Sequence, residues 1–452
     1  MRRPTQRPEA LPGHMPATSI RLPTLPGLAK WTLIATLLPV YFTIFGLLLS
    51  PARILLLILV PILAVQLMQG KFGGFLWIDR LVFLHVMWLI MSVFVNNPEV
   101  AVTYTGSNAI VILGGYLTAR ASIRSREDFA ALCLFLMKVV LLSLPFAILE
   151  TRDSIMIIPR LIDKIPGISS SIDVDYLPRL GLNRVQFLFA HPIHYGLFCS
   201  CTVALCFIGL RDYLSLKARI LITTALILCT FLSVSSGPIL SMVTQIFLIS
   251  WAILAKGLAR KWRILTGLLA MLYAIAEIMS NRIAIYAIVS ILSFSPNTAN
   301  VRRVLFEYGS AQIARTPILG VGFNSWPLPK YMTGSLDNHW LLLALIYGLP
   351  SLIFLFWAIF LTFYHLSISS AKDSTFQNMR LGWVFTMISL LLTLSTVAIW
   401  GEMQSIFYFL FGSGVWMSLA RAQTADAQSE ASLINTAHGA LTYSRFPVRA
   451  RS

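Results

Sequence analysis

Three consecutive side chains, Asp337, Asn338 and His339, place a carboxylate, an amide and an imidazole at the outer end of the long apolar stretch 338–364. At the mouth of an apolar helix a carboxylate or imidazole can take a proton from a substrate hydroxyl. Asp337 or Asn338 can equally serve as the helix N-cap, and the sequence leaves both roles open. A second constellation lies upstream in RLGLNRVQFLFAHPIHYG, where Arg179, Arg184, His191 and His194 stand just before or at the start of another apolar run. A guanidinium is a planar fork that matches phosphate. The alternative is that Arg184 reaches lipid headgroups and His191 opens a helix ahead of Pro192. His194 stands one turn further in, where a packing role suits it better than catalysis. Arg282, Arg302, Arg303 and Arg315 add cations to a later stretch that ends in PILGVGFNSW. Its Gly320 and Gly322 form only a bare GxG without a following Lys-Ser/Thr, which marks a tight turn rather than a phosphate cradle.

The elements that must hold these groups are apolar. The chain has 452 residues, of which 57% are hydrophobic and 12% charged, whereas a soluble protein carries about 25% charged residues. Its mean hydropathy is +0.76. These values predict an all-α polytopic membrane protein. Apolar stretches fall at about 31–49, 52–69, 78–96, 100–119, 129–149, 192–210, 218–236, 238–255, 263–281, 338–364, 380–399 and 402–420. At roughly 20 residues per crossing they give about 12 transmembrane helices. Segments 1–30 and 421–452 are polar or rich in Pro and Arg and read as disordered tails flanking a membrane domain over 31–420.

The net charge of +17 would suggest nucleic acid in a soluble chain. Here the cations instead recur in every second connection, at Lys71 and Arg80, at Arg120 to Arg126, at Arg211 to Arg219 and at Lys256 to Arg263. By the positive-inside rule those connections and both termini are cytoplasmic. Two long connections, 151–191 and 282–337, then face outward, and long loops in compact proteins usually carry function. The second opens with an apolar segment too short to span and continues into 301–308, whose spacing predicts a short amphipathic helix on the outer leaflet. Lys138 and Glu277 fall within crossings and mark either a pathway or a mutually neutralising pair. The five cysteines, Cys133, Cys199, Cys201, Cys206 and Cys229, lie in apolar runs without metal-ligand spacing and read as small buried hydrophobes. No metal, cofactor or nucleic acid is expected.

Four stretches, RVQFLFAHPIHYG, LSVSSGPILS, the run from NRIAIYAIV to RRVLFEYG, and TPILGVGFNSW followed by SLDNHWLLLALIYGLPS, together resemble the O-antigen ligase and O-antigen polymerase superfamily of bacterial inner-membrane glycan-assembly proteins. The resemblance covers about residues 129–419. It implies a metal-independent glycosyltransferase that moves a glycan from an undecaprenyl-pyrophosphate carrier to a sugar hydroxyl at the periplasmic face. It also implies that outer-loop arginines hold the pyrophosphate, mapping to Arg184 and Arg282 with Arg302 and Arg303 as further candidates. Asp337 and His339 are then the candidate bases, supported by Asn338 and His191. Partners implied are the bilayer, the lipid-linked glycan, a chain-length regulator and a flippase. Ligases carry His before Asn where this chain has Asp337, a departure that favours a polymerase of exopolysaccharide, capsule or O-antigen repeats over a ligase acting on lipid A core. An anionic-glycolipid transporter or flippase is the reading of a different class.

Overall fold

A computed structural model describes residues 23–44, 47–170, 176–279, 296–329, 336–368 and 373–419. Both expected tails lie largely outside these residues, as do Arg282 and the apolar segment that follows it. The described chain is mostly helical. In order it runs α1 (Gly27–Leu37), β1 (Phe42–Ile44), β2 (Leu47–Leu49), α2 (Pro51–Met68), α3 (Trp77–Asn96), α4 (Pro98–Ser122), α5 (Arg126–Asp153) and the short α6 (Ile157–Ile162). There follow α7 (Pro192–Gly209), which ends in a π turn, α8 (Leu216–Leu232), α9 (Ser236–Leu254), α10 (Lys261–Met279) and α11 (Pro296–Arg315). The last elements are α12 (His339–Tyr347), α13 (Leu349–Ser367), α14 (Ser374–Thr393) and α15 (Gly401–Gly412).

Among the described residues seven helices are long and apolar enough to cross a membrane: α2, α3, α4, α5, α7, α9 and α13. Six of them coincide with apolar stretches anticipated from the sequence, and α13 takes up the second part of the stretch 338–364. Apolar side chains such as Leu57, Ile58 and Val65 on α2 and Leu268, Leu272 and Ile278 on α10 point outward, as a hydrocarbon solvent permits. Side-chain caps start several of these helices. Ser50 accepts from the Arg53 amide ahead of Pro51, and Ser125 and Asp128 form a reciprocal box at the start of α5.

Three anticipated elements are corrected. The stretch 31–49 is not one crossing: α1 is 11 residues long, and Pro39 cannot donate a helical hydrogen bond. The chain then turns into the β1–β2 hairpin, tied to the first long loop where Tyr41 pairs with Ser169. The stretch 338–364 is two helices, broken at Gly348, whose φ of +83° only glycine adopts readily. A Cβ there would meet the Ile318 carbonyl oxygen at 2.0 Å. The expected short helix over 301–308 is instead the 20-residue α11, which buries Val304, Leu305 and Ile313 and packs on α12. Lys138 and Glu277 both stand on exposed faces, of α5 and α10. The five cysteines are buried and unbridged, as expected.

One polar group anchors the end of the bundle away from Asn96. Asp79, fully buried on α3, accepts from the Tyr116 hydroxyl at 2.5 Å and from Arg120 Nε at 3.3 Å. The Arg120 guanidinium also donates to the carbonyls of Phe72 and Gly74, so α3, α4 and their preceding loop meet at one ion pair. Removing one partner of a buried pair strands the other charge, at a cost of about 3–5 kcal/mol. Asp79→Ala is therefore expected to lower the thermal transition of the purified protein sharply. Pairing it with Arg120→Met should recover part of that loss, read as a non-additive double-mutant cycle.

Candidate functional site

Arg184 is set by two helix ends. The last carboxyl-bearing turn of α5 presents Glu150, which is buried and accepts from the amides of Gln186 at 2.6 Å and Phe187 at 3.1 Å. Asn183 and Val185 donate their amides to Thr151 and Leu232, the latter the C-terminal residue of α8. Between these ties Arg184 is buried, with one terminal nitrogen donating to Ser235 Oγ at 2.9 Å and the guanidinium 5.5 Å from the Tyr176 ring centre. Ser235 in turn donates to the Ser233 carbonyl. Two of the sequence stretches singled out, RVQFLFAHPIHYG and LSVSSGPILS, thus meet through this one arginine. Its Nε finds no hydrogen-bond partner among the described residues, and the side chain lines a cavity of about 200 Å³ with Glu150, Asn183 and Gln186. Burial, and next the charge of Arg179, push its pKa down to about 10, so it remains a cation at neutral pH.

His191 does open α7, its Nδ1 accepting from the Ile193 amide at 3.0 Å. Burial and then the nearby Arg184 and Arg179 lower its pKa to about 4, so the ring is neutral and can accept in that way. Its ring packs 4.5 Å from Tyr176 and 5.9 Å from Trp400. His194 is fully buried with its ring 4.1 Å from that of Trp400, a packing role.

The second constellation divides its labour differently from either simple expectation. Asn338, not Asp337, caps α12, accepting from the amides of Trp340 and Leu341 at 3.1 and 3.0 Å. Asp337 is released from capping and stands half-exposed with Oδ2 3.9 Å from Arg302 Nε. A pair so exposed contributes about 0–1 kcal/mol, enough to orient the carboxylate but not to hold it. Arg302 is itself largely buried, and that burial lowers its pKa, with Asp337 opposing and Arg179 adding to the effect. Arg179 bears electrostatically on Arg184, His191 and Arg302, so a cation of the first long loop is felt at an arginine of the second. Arg303 points elsewhere and is occupied locally by Glu307 and Asn300. Arg282 falls outside the described residues.

His339 begins α12, its amide donating to the Leu394 carbonyl at the end of α14. Its ring is 2% exposed, and neither ring nitrogen has a partner among the described residues. Gly320 and Gly322, at φ +65° and +61°, make a tight turn rather than a phosphate cradle. The turn brings the amides of Val321 and Gly322 onto the carbonyls of Leu345 and Ile346, capping the broken end of α12.

Beside His339 lies a cavity of about 920 Å³, walled by the hairpin, α12 and the first turns of α2, α4 and α15. Tyr41, Arg53, Glu99, Asn108 and Glu402 line it, and none of them was picked out from the sequence. Tyr41 donates its hydroxyl to Glu402, and Asn108 donates to the Tyr347 hydroxyl at 3.2 Å. A usable signal was available: Glu99 and Glu402 are carboxylates at the starts of apolar runs in a chain with only 18 acidic residues. Among the described residues no three His, Cys, Asp or Glu side chains converge as a metal site. No protein-family model matches the chain, and no curated protein matches it either.

Glu150 carries no charge partner in this arrangement; it orders the Arg184 loop by accepting backbone donors. Glu150→Ala leaves two amides unsatisfied, at about 1–3 kcal/mol each. The variant is expected to expose the 183–187 backbone, seen as faster amide hydrogen exchange there with the α3–α4 helices unchanged.

Proposed function

We propose that this protein is a glycosyltransferase of the bacterial inner membrane that polymerises undecaprenyl-pyrophosphate-linked oligosaccharide repeats at the periplasmic face. The observation that carries the reading is that Arg179 of the first long loop bears on both Arg184 and Arg302, the latter paired with Asp337, while His339 two residues on lines a large cavity. Among neutral ligands nothing needs three guanidiniums; a pyrophosphate leaving group does. As the bond from anomeric carbon to phosphate oxygen breaks, its electron pair stays on the pyrophosphate, and the guanidiniums stabilise the charge that grows there. The acceptor hydroxyl oxygen forms the new bond to the anomeric carbon, and its proton passes to Asp337 or to His339. The resemblance described above supports the same chemistry, and Asp337 in place of a histidine supports polymerase over ligase. The transporter reading rests on Lys138 and Glu277, which stand at exposed positions on separate helices.

This reading places the loops 151–191 and 282–337 in the periplasm and both termini, with the connection at Arg124, in the cytoplasm, in keeping with the cation distribution. Single cysteines placed at 124 and 302 of a Cys-free variant test it in intact cells whose outer membrane has been permeabilised. An impermeant thiol reagent should label position 302 and spare position 124, and the reverse pattern overturns the topology.

In a deletion strain, surface glycan should collapse to single repeats; long chains left on the carrier lipid indicate a ligase, and unaltered polysaccharide rejects both. Arg184→Ala should keep membrane levels near normal yet reduce transfer on the order of 10²-fold. Arg184→Lys should rescue poorly, because an ammonium restores charge without the bidentate fork. Asp337→Asn removes basicity while Asn338 still caps α12; near-normal turnover would move the base role to His339.

A further inference from the structure

We propose that the 920 Å³ cavity is the chamber for the acceptor sugar and that its carboxylates select neutral or amino sugars over acidic ones, an assignment that rests on the transfer reading above. Its volume is that of a ligand site, and its mostly apolar lining carries a few polar groups able to orient a sugar ring. Glu99 and Glu402 offer carboxylate oxygens to hydroxyl donors, Asn108 and Gln404 offer amides, and the half-exposed Trp400 offers an indole face. Glu402 stands in the first turn of α15, and the Tyr41 hydroxyl fixes one of its oxygens. The Tyr41 bond leaves the other carboxylate oxygen to a ligand.

A second observation points to an occupant that hydrogen-bonds. His339 lines the same cavity, is 2% exposed and leaves both ring nitrogens without a partner among the described residues. Buried polar atoms are rarely left so, and a hydroxyl-rich ligand in the cavity supplies both a donor and an acceptor.

The charge pattern sets the selectivity. The cavity holds two carboxylates against the single guanidinium of Arg53, whereas the neighbouring cluster of Arg179, Arg184 and Arg302 is cationic. A lipid pyrophosphate is drawn to the cluster and repelled by the chamber. A uronic acid ring meets the same repulsion, while an amino sugar is attracted. His339 and Trp400 stand at the boundary, Trp400 touching the His191 and His194 rings on one side and the cavity on the other.

Saturation-transfer NMR on the full-length protein in nanodiscs tests this with three soluble probes: maltotriose, the trimer of glucosamine, and trigalacturonate. Maltotriose and the glucosamine trimer should bind, with trigalacturonate about tenfold weaker or worse at low salt. The charge-neutral double variant Glu99→Gln/Glu402→Gln should bring trigalacturonate to within about threefold of maltotriose. Trigalacturonate binding as well as maltotriose, silence from all three probes, or a preference that survives the double variant would each overturn the chamber. The transfer reading fails separately: a deletion strain with unaltered polysaccharide rejects it whatever the probes do.

Discussion

A backbone that stops being helical inside an apolar interior must give its freed carbonyls and amides new partners, and this site is built from such stops. The last carbonyls of α12 accept from Val321 and Gly322, the end of α8 accepts from Val185, and the end of α14 accepts from His339. Each of these ties joins a helix terminus to a segment distant in sequence. Without them the interruptions would cost several kcal/mol per unsatisfied group in hydrocarbon. With them, a helix end becomes a fixed support. Arg184 stands one residue before the Val185 tie, and the His339 ring hangs from the residue that makes the α14 tie, so the candidate chemistry inherits its placement from backbone satisfaction.

The same economy governs charge. Asp79 and Arg120 are almost wholly buried and spend their hydrogen bonds on each other, on Tyr116 and on backbone, which makes them structural. Arg184 is nearly as buried but keeps a donor unspent. That difference separates a guanidinium whose donors are all committed to the fold from one with a donor to spare. Arg303 is a third case, a surface cation engaged four residues along its own helix, and its proximity to Arg302 in sequence confers no share in the cluster.

Hydropathy made the seven spanning helices legible because it reports the solvent, and the solvent was hydrocarbon. It could not report where an apolar run breaks. Gly348 sits inside a run that reads as one long crossing, and the break shows only in its positive φ and in the Ile318 carbonyl packed against it. Leu38 and Pro39 were a readable signal of the other break, outweighed by the hydrophobicity around them. At the site, residue type identified Arg184, Arg302, Asp337 and His339, since cations and imidazoles at the mouths of apolar runs are costly and conspicuous. Their division of labour was not legible, because whether Asp337 or Asn338 caps α12 depends on a turn of one residue. The chamber was missed for a further reason: its walls come from the hairpin and four helices, and its carboxylates look like ordinary link residues when read singly.

The transfer proposed for this protein sets two requirements that have to be met together without interfering. The leaving pyrophosphate needs guanidiniums, and the attacking hydroxyl needs an oxygen or nitrogen that can take its proton. Asp337 stands 3.9 Å from Arg302, whereas His339 lies on the cavity side, with both nitrogens uncommitted among the described residues. The two candidates therefore differ in kind: Asp337 couples the proton acceptor to the phosphate cluster, and His339 couples it to the sugar chamber. A rate that keeps its dependence on Asp337 while losing it on Arg302 would separate a base from a mere counter-ion, since a counter-ion has nothing left to do once its partner is gone.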